Sequence, residues 1–221
     1  FWGMARNFRA ADAALTALDA SLRRALAGRP ELMGELEKFS RDPLTRVTDH
    51  IWCSTFGGGG ACWLLLSRSG KALAIDYGSL VVRLQGCSLP QPRHRRVLLH
   101  TLAALQKRFG IAGIDVVVAT HYHEDHIAGI PLLQRRYGTR CWAGENFASL
   151  LADPAAHHAP CTWPEPIRVE PQPLGVPVPW EEYVLRFEPL SGHTHWSTLV
   201  LFEADGLRVA ATGDQYFWHH F

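Results

Sequence analysis

The sequence has no run of about 18 apolar residues, so no segment is suited to cross a membrane as a helix. An excess of charge of one sign is also lacking: 22 Lys and Arg stand against 21 Asp and Glu, a formal net charge of +1. Proteins that hold nucleic acid on a broad basic surface carry a large positive excess, so nucleic acid is not an expected partner. The five cysteines (Cys53, Cys62, Cys87, Cys141, Cys161) form no C-x-x-C pair and are odd in number. That spread fits neither a disulfide scaffold nor a paired-cysteine zinc site, and reduced core thiols in a cytoplasmic protein are expected. The opening Phe1-Trp2-Gly3-Met4-Ala5-Arg6-Asn7 starts no apolar stretch of the secretory kind. Internal repeats and low-complexity tracts are missing too. What is abundant is core material: 47% apolar residues, with 8 Trp, 10 Phe and 5 Tyr over 221 residues. This excludes general disorder and is enough for one packed domain.

Ala11, Leu15, Leu18, Leu22 and Leu26 recur at helical spacing, Gly28-Arg29-Pro30 ends that stripe, and residues 31–39 suit a second short helix. From Asp42 the texture changes. Trp63-Leu64-Leu65-Leu66 and Ala72-Leu73-Ala74-Ile75, parted by Ser67-Arg68-Ser69-Gly70, predict a hairpin. Leu98, Leu102, Leu105 and Phe109 share one face of a predicted helix over 95–109, and residues 127–137 suit another with Pro131 in its first turn. Ile114 to Ala119 is a β-branched run of the buried-strand type. Eight of the 14 prolines fall between Pro154 and Pro179, which excludes a long helix or a central strand there and predicts irregular chain. Segments 183–187, 198–202 and 207–211 read as three further strands. Strands alternating with helices point to a layered domain.

The chemistry is concentrated directly after the apolar run at 114–119, in Thr120-His121-Tyr122-His123-Glu124-Asp125-His126. Three imidazoles and two carboxylates within six residues are not explained by packing, because burying them unpaired is costly. In extended chain, residues two apart project to one side, so His121 and His123 can face one ion, while Asp125 and His126 follow a bend and can address a second. Imidazole and carboxylate donors suit zinc, iron or manganese. Gly192-His193-Thr194 and Thr212-Gly213-Asp214, each at a predicted strand end, add His193 and Asp214.

T-H-x-H-x-D-H, followed in order by G-H-T and T-G-D, resembles the metallo-β-lactamase superfamily of metal-dependent hydrolases, and Asp76-Tyr77-Gly78 resembles that family's strand-ending Asp-x-Gly. The resemblance runs from about Thr48 to Asp214. It implies an α+β fold, a four-layer αββα sandwich with the site at one edge between the sheets; residues 42–221 are expected to form it, and the helical stripes over 1–41 an N-terminal extension. It also implies that His121, His123 and His193 hold one metal, that Asp125 and His126 hold a second, that Asp214 bridges them, and that Asp76 supports the metal loop. The implied cofactor is Zn2+, two per chain, with iron or manganese as alternatives. The implied chemistry is attack of a metal-activated hydroxide on an ester, thioester, lactone or similar bond of a small molecule. Asp125 would also orient the nucleophile and pass its proton to the leaving group, with Tyr122 and His195 as candidate substrate contacts. A bridging Asp is typical of the glyoxalase II-like thioesterases, lactonases and phosphodiesterases of the family; its β-lactamases usually lack it.

Two departures from the family pattern stand out. The family's last His on the second metal lies some tens of residues beyond the bridging Asp, whereas this sequence stops seven residues after Asp214. A missing C-terminal part is therefore expected, and neither His219 nor His220 is assigned that role. Trp196 stands where the family commonly has a small residue. Competing readings are a mononuclear iron, persulfide-dioxygenase-like oxygenase on His121, His193 and Asp214, a phosphodiesterase or nuclease of the same superfamily with Arg93 to Arg96 and Arg135-Arg136 as its basic clusters, and a metal-binding remnant without activity. An oligomer is compatible with all of them. Selectivity is expected to reside in residues 79–96 and 154–179, and Trp142, Trp163, Trp180 and Trp196 are candidate pocket walls.

Overall fold

Apolar runs in the sequence become the strands of two sheets. The computed structural model describes residues 44–54, 62–78, 81–84, 87–90, 92–157 and 166–215, and Arg24. Backbone contacts divide the chain into units 1–42 and 43–221. The helices expected over 8–27 and 31–39 lie outside the described residues. The larger sheet is built from β1 (Leu44–Arg46), β2 (Ile51–Ser54), β3 (Cys62–Leu66), β4 (Ala72–Ile75), then β7 (Val116–Val118), β8 (Arg140–Gly144) and β9 (Val169–Gln172), in that order. Between β4 and β7 lies a separate hairpin of β5 (Val81–Leu84) and β6 (Cys87–Pro90). The smaller sheet has the order β10 (Pro177–Trp180), β11 (Tyr183–Pro189), β12 (Thr198–Ala204), β13 (Leu207–Ala211), all antiparallel.

The expected hairpin is β3–β4, antiparallel with Leu66 opposite Ala72. From β4 onward the larger sheet is parallel, because helices form the crossovers. These are α1 (Pro92–Phe109), α2 (Glu124–Ile127), α3 (Ile130–Tyr137) and α4 (Ala148–Ala152). Val116, Val117 and Val118 are fully buried, as a strand covered on both faces requires. The helix predicted over 127–137 is interrupted: α2 stops at Ile127, and α3 restarts with Gly129 at its N-cap and Pro131 in the first turn. There a missing N–H costs no helical hydrogen bond. The proline-rich segment is less irregular than predicted. It contains β9 and β10, but each lies at a sheet edge, where Pro171, Pro177 and Pro179 are tolerated.

The two sheets pack face to face. Leu65, Leu73, Ile75, Val116, Val118 and Trp142 from the larger sheet meet Trp180, Leu185, Phe187, Val200 and Phe202 from the smaller. Each large side chain so buried contributes roughly 1.5–3 kcal/mol. On the other face of the larger sheet, α1 is fixed by Ser54 Oγ to Thr101 Oγ1 at 2.8 Å and by Phe109 edge-on to Trp52 at 5.1 Å. The Gln134 amide of α3 pairs with the Arg168 backbone in both directions, at 2.7 and 3.1 Å. Helix, sheet and sheet thus follow one another, with the loops after β4, β7, β11 and β13 meeting at one edge.

Candidate metal centre

Asp76 follows β4 directly, in the left-handed region at φ 60°, and is buried. One carboxylate oxygen accepts the Thr120 N–H at 2.8 Å, and the other accepts the Thr120 hydroxyl at 2.7 Å and His126 Nδ1 at 2.8 Å. Gly78 completes this support by close approach: a Cβ there would lie 2.0 Å from the carbonyl carbon and oxygen of Asp125. The Tyr77 N–H also donates to the His126 carbonyl at 2.7 Å. The loop after β7 is thereby fixed on its α2 side. On its other side the Thr198 N–H donates to the Thr120 carbonyl at 2.8 Å, tying it to the start of β12. The turn after β13 packs directly on it, since a Cβ on Gly213 (φ 54°) would lie 2.7 Å from Thr120 Oγ1.

The six side chains singled out in the sequence gather in two groups, and Asp76 closes a third with His121 and His126. His121 Nε2 lies 3.2 Å from His123 Nδ1, and His193 Nε2 lies 2.9 Å from the same atom. Asp125, His126 and Asp214 form the second group. His126 Nε2 is 3.1 Å from Asp214 Oδ1 and 3.7 Å from Asp125 Oδ2, while Asp214 Oδ2 is 3.7 Å from His193 Nε2. Asp214 therefore turns one oxygen toward each group. All six residues singled out in the sequence are brought together. Thr120 stood in the quoted heptapeptide without a role assigned to it, and Gln215, whose Oε1 accepts the His193 N–H at 2.8 Å, lay outside every motif; the sequence marks no partner that lies across space.

Electrostatics follow from burial and these neighbours. Burial, reinforced by the positive His126 ring, pushes His121 down to about 3. Burial and His193 likewise lower His123. For His126 burial opposes the charge, but Asp76 and Asp214 outweigh it and hold the group up to about 10. Burial alone would raise Asp214; His126, His121 and His193 together draw it below the usual carboxylate range. His121 and His123 are thus neutral imidazoles with lone pairs available near neutral pH.

The donor set fits metal ions. Three nitrogens converge at spacings near the roughly 3.3 Å expected between ligands of one tetrahedral zinc. His126 Nε2 is buried without a hydrogen bond of acceptable geometry. With its Nδ1 committed to Asp76, Nε2, 3.1 Å from Asp214 Oδ1, has the arrangement of a ligating imidazole whose other nitrogen is fixed by a carboxylate. Tyr122 is buried, with its ring 5.2 Å from His123 and 6.3 Å from Trp196. His195 is exposed and stands edge-on to Trp196 at 5.0 Å. Trp142 and Trp180 are core residues rather than pocket walls, with their indole N–H groups on Glu170 and Asp115 at 3.0 Å each. Trp163 lies outside the described residues. A cavity of about 360 Å³, lined in part by Trp63, Phe202 and Val209, reaches Asp76, His126 and Asp214.

A profile of the metallo-beta-lactamase superfamily matches residues 86–217, more than half of the sequence. With a two-sheet fold and a cluster of His and Asp at the sheet edge, the chain belongs to the metallo-beta-lactamase superfamily. No curated protein matches the sequence. Among solved structures it is similar to BJP-1, a subclass B3 metallo-beta-lactamase of Bradyrhizobium japonicum, with 18% identity over 76% of this chain and 60% of that one, at a TM-score of 0.57. It is also similar to the class B3 di-zinc metallo-beta-lactamase LRA-12 from an Alaskan soil metagenome (15%, 78% and 62%, TM-score 0.57) and to native FEZ-1 from Legionella gormanii (16%, 76% and 62%, TM-score 0.56). The chain spans about 60% of the length of these structures. At such identity the likeness establishes the fold. Among the described residues no helix is long and apolar enough to cross a membrane.

Proposed function

We propose that the chain is a binuclear metallo-hydrolase of small molecules, of the glyoxalase II-like or lactonase-like kind, acting on an ester, thioester or lactone. The observation that carries this reading is Asp214, which presents one carboxylate oxygen to each of two donor groups. His121, His123 and His193 would hold one ion, and Asp125 and His126 the other, with Asp214 shared; zinc suits these donors. Such a pair of ions supplies Lewis acidity and lowers the pKa of a water to near neutrality.

The chain's own residues do the rest. Asp76 accepts the His126 Nδ1–H and so aims Nε2 at the second donor group, where an ion would displace the proton that the ring carries without metal. The Asp125 carboxylate, 29% exposed, faces solvent enough to accept a proton from water and return it to the departing oxygen or sulfur. The cavity beside His126 and Asp214 suits a substrate with an apolar part. Residues 42–221 are taken as the catalytic domain and 1–41 as a helical extension. A cytoplasmic location accords with Cys53, Cys62 and Cys141 being free thiols.

Elemental analysis of protein purified without chelator or added metal tests this, combined with hydrolysis assays on thioester, lactone and β-lactam substrates. About two zinc ions per chain with thioester or lactone turnover is the expected result. One iron with oxygen uptake would instead establish the oxygenase on His121, His193 and Asp214, and preferential β-lactam turnover would overturn the branch.

A further inference from the structure

We infer that Gln215 is a positioning residue that sets the distance between the two donor groups by bracing the His193 loop against the Asp214 turn; this rests on the metal-centre reading above. His193 and Asp214 come from the loop after β11 and the turn after β13, and β12 lies between those strands. No backbone ladder between β11 and β13 fixes how far apart the two side chains stand. The His193 loop is closed largely on itself: the Leu190 N–H donates to the Ser197 carbonyl at 3.0 Å, the Gly192 N–H to the Thr194 carbonyl at 3.0 Å, and the Ser191 hydroxyl to the His195 carbonyl at 2.9 Å. Its far end is tied at Ser197, by Asn146 Nδ2 on the carbonyl at 3.0 Å and by a bridge to His121, but none of these contacts holds its His193 tip across the end of β12.

Gln215 holds that tip. It sits on the same short turn as Asp214, whose backbone is held by the Gln215 N–H donating to the Thr212 carbonyl at 3.2 Å. Its side chain reaches back so that Oε1 accepts the His193 N–H at 2.8 Å. The amide occupies the space left by a missing side chain, since a Cβ on Gly192 would lie 2.2 Å from both Nε2 and Oε1 of Gln215. Gly192 is thus the socket and Gln215 the peg. The peg joins the backbone of one ligand to the residue adjoining the ligand shared by both groups, where His193 Nε2 and Asp214 Oδ2 stand 3.7 Å apart. A side chain with no acceptor, or one too short to cross, leaves that spacing unset.

The test uses the full chain stripped of metal and titrated with Zn2+ against a chromophoric chelator, with the visible spectrum of the Co2+ form as a geometric readout. Gln215→Ala is expected to weaken Zn2+ binding by about tenfold or more, the range for residues that orient ligands, to alter the Co2+ spectrum, and to leave the melting temperature of the metal-free protein unchanged. Gln215→Glu, which keeps an acceptor oxygen at the same reach, is expected to restore affinity to within a few-fold of wild type. Gly192→Ala evicts the amide and should reproduce the Gln215→Ala loss, with no further loss in the double variant because both remove one interaction. Zn2+ bound equally by wild type and Gln215→Ala overturns this inference alone. An equal loss in Gln215→Glu, or a metal-free melting temperature that falls enough to explain the weaker binding, assigns Gln215 to packing and overturns it too. Failure of the wild-type chain to bind Zn2+ removes the metal centre and the inference with it.

Discussion

Asp76 carries more of the site than any group that would touch a metal. Its carboxylate accepts three hydrogen bonds while buried, two from Thr120 and one from His126. An amide of the same shape has one oxygen and an NH2 that must find an acceptor of its own. Asp76→Asn therefore leaves at least one of those donors unmatched, at a cost of about 1–3 kcal/mol, and releases His126 from its fixed tautomer. The expected outcome is a lower melting temperature of the metal-free protein together with about 10–100-fold weaker Zn2+ binding. Thermal denaturation and a zinc titration on one preparation check it; unchanged values in both would deny Asp76 this role. Much at this scale was legible because His121, His123, Asp125 and His126 crowd into a single heptapeptide that no packing argument explains. His193 and Asp214 gained meaning only from their order after it. The parts played by Thr120 and Gln215 were not legible, since each depends on a partner on another strand end.

Elements built from strong local patterns came through the sequence well. The β3–β4 hairpin, the buried β7 and the helix over 95–109 follow from runs whose periodicity and turn residues agree. β1, β2 and β8 were missed because they are short and mixed in composition: β8 is Arg140-Cys141-Trp142-Ala143-Gly144, held in the sheet by parallel neighbours rather than by its own propensity. The β12–β13 turn joins local and distant effects. Asp205 and Gly206 both have positive φ, 53° and 76°, the two-residue hairpin turn that Asp-Gly favours. Asp205 also accepts Thr48 Oγ1 at 2.5 Å, the His50 N–H at 2.8 Å and His50 Nδ1 at 2.6 Å, which pins the smaller sheet to the β1–β2 turn of the larger one. Burial would raise its pKa, but these hydrogen bonds prevail and hold it down to about 2. A carboxyl whose pKa is lower in the folded state adds stability that is complete above its unfolded value of about 3.9 and is lost as pH falls through the folded one. Asn tolerates positive φ, so Asp205→Asn preserves the turn and removes the charge. It is expected to destabilise by about 1–2 kcal/mol near neutral pH, after allowance for partial exposure. The gap to wild type should close as pH drops from about 4 toward 2. Urea unfolding across that range is the measurement, and a gap independent of pH would assign the loss to the turn instead.

Over the whole molecule, the site is where four strand ends from two sheets converge, so ion binding and the stability of the sandwich are one equilibrium. β4 supplies Asp76, β7 leads into His121 to His126, β11 into His193 and β13 into Asp214. The unfolded chain keeps only the 121–126 segment as a local chelator; His193 and Asp214 are brought to it by the fold alone. An ion that prefers the native state in this way stabilises it by RT ln(1 + [L]/Kd), about 4 kcal/mol when free metal is a thousandfold above Kd. For a domain of this size each kcal/mol moves the melting temperature by roughly 2–4 °C. The zinc-loaded protein is therefore expected to melt about 8–16 °C above the same protein in excess chelator. The increment should shrink sharply in His193→Ala, whose contribution depends on the sheets being packed together, while the metal-free melting temperature changes little because His193 is exposed. Calorimetry with and without chelator measures both quantities. If wild type shows no increment, the six side chains do not form a metal centre in the native state. If His193→Ala keeps the full increment, the ion is held by the 121–126 segment and the 214 turn without the smaller sheet's other loop.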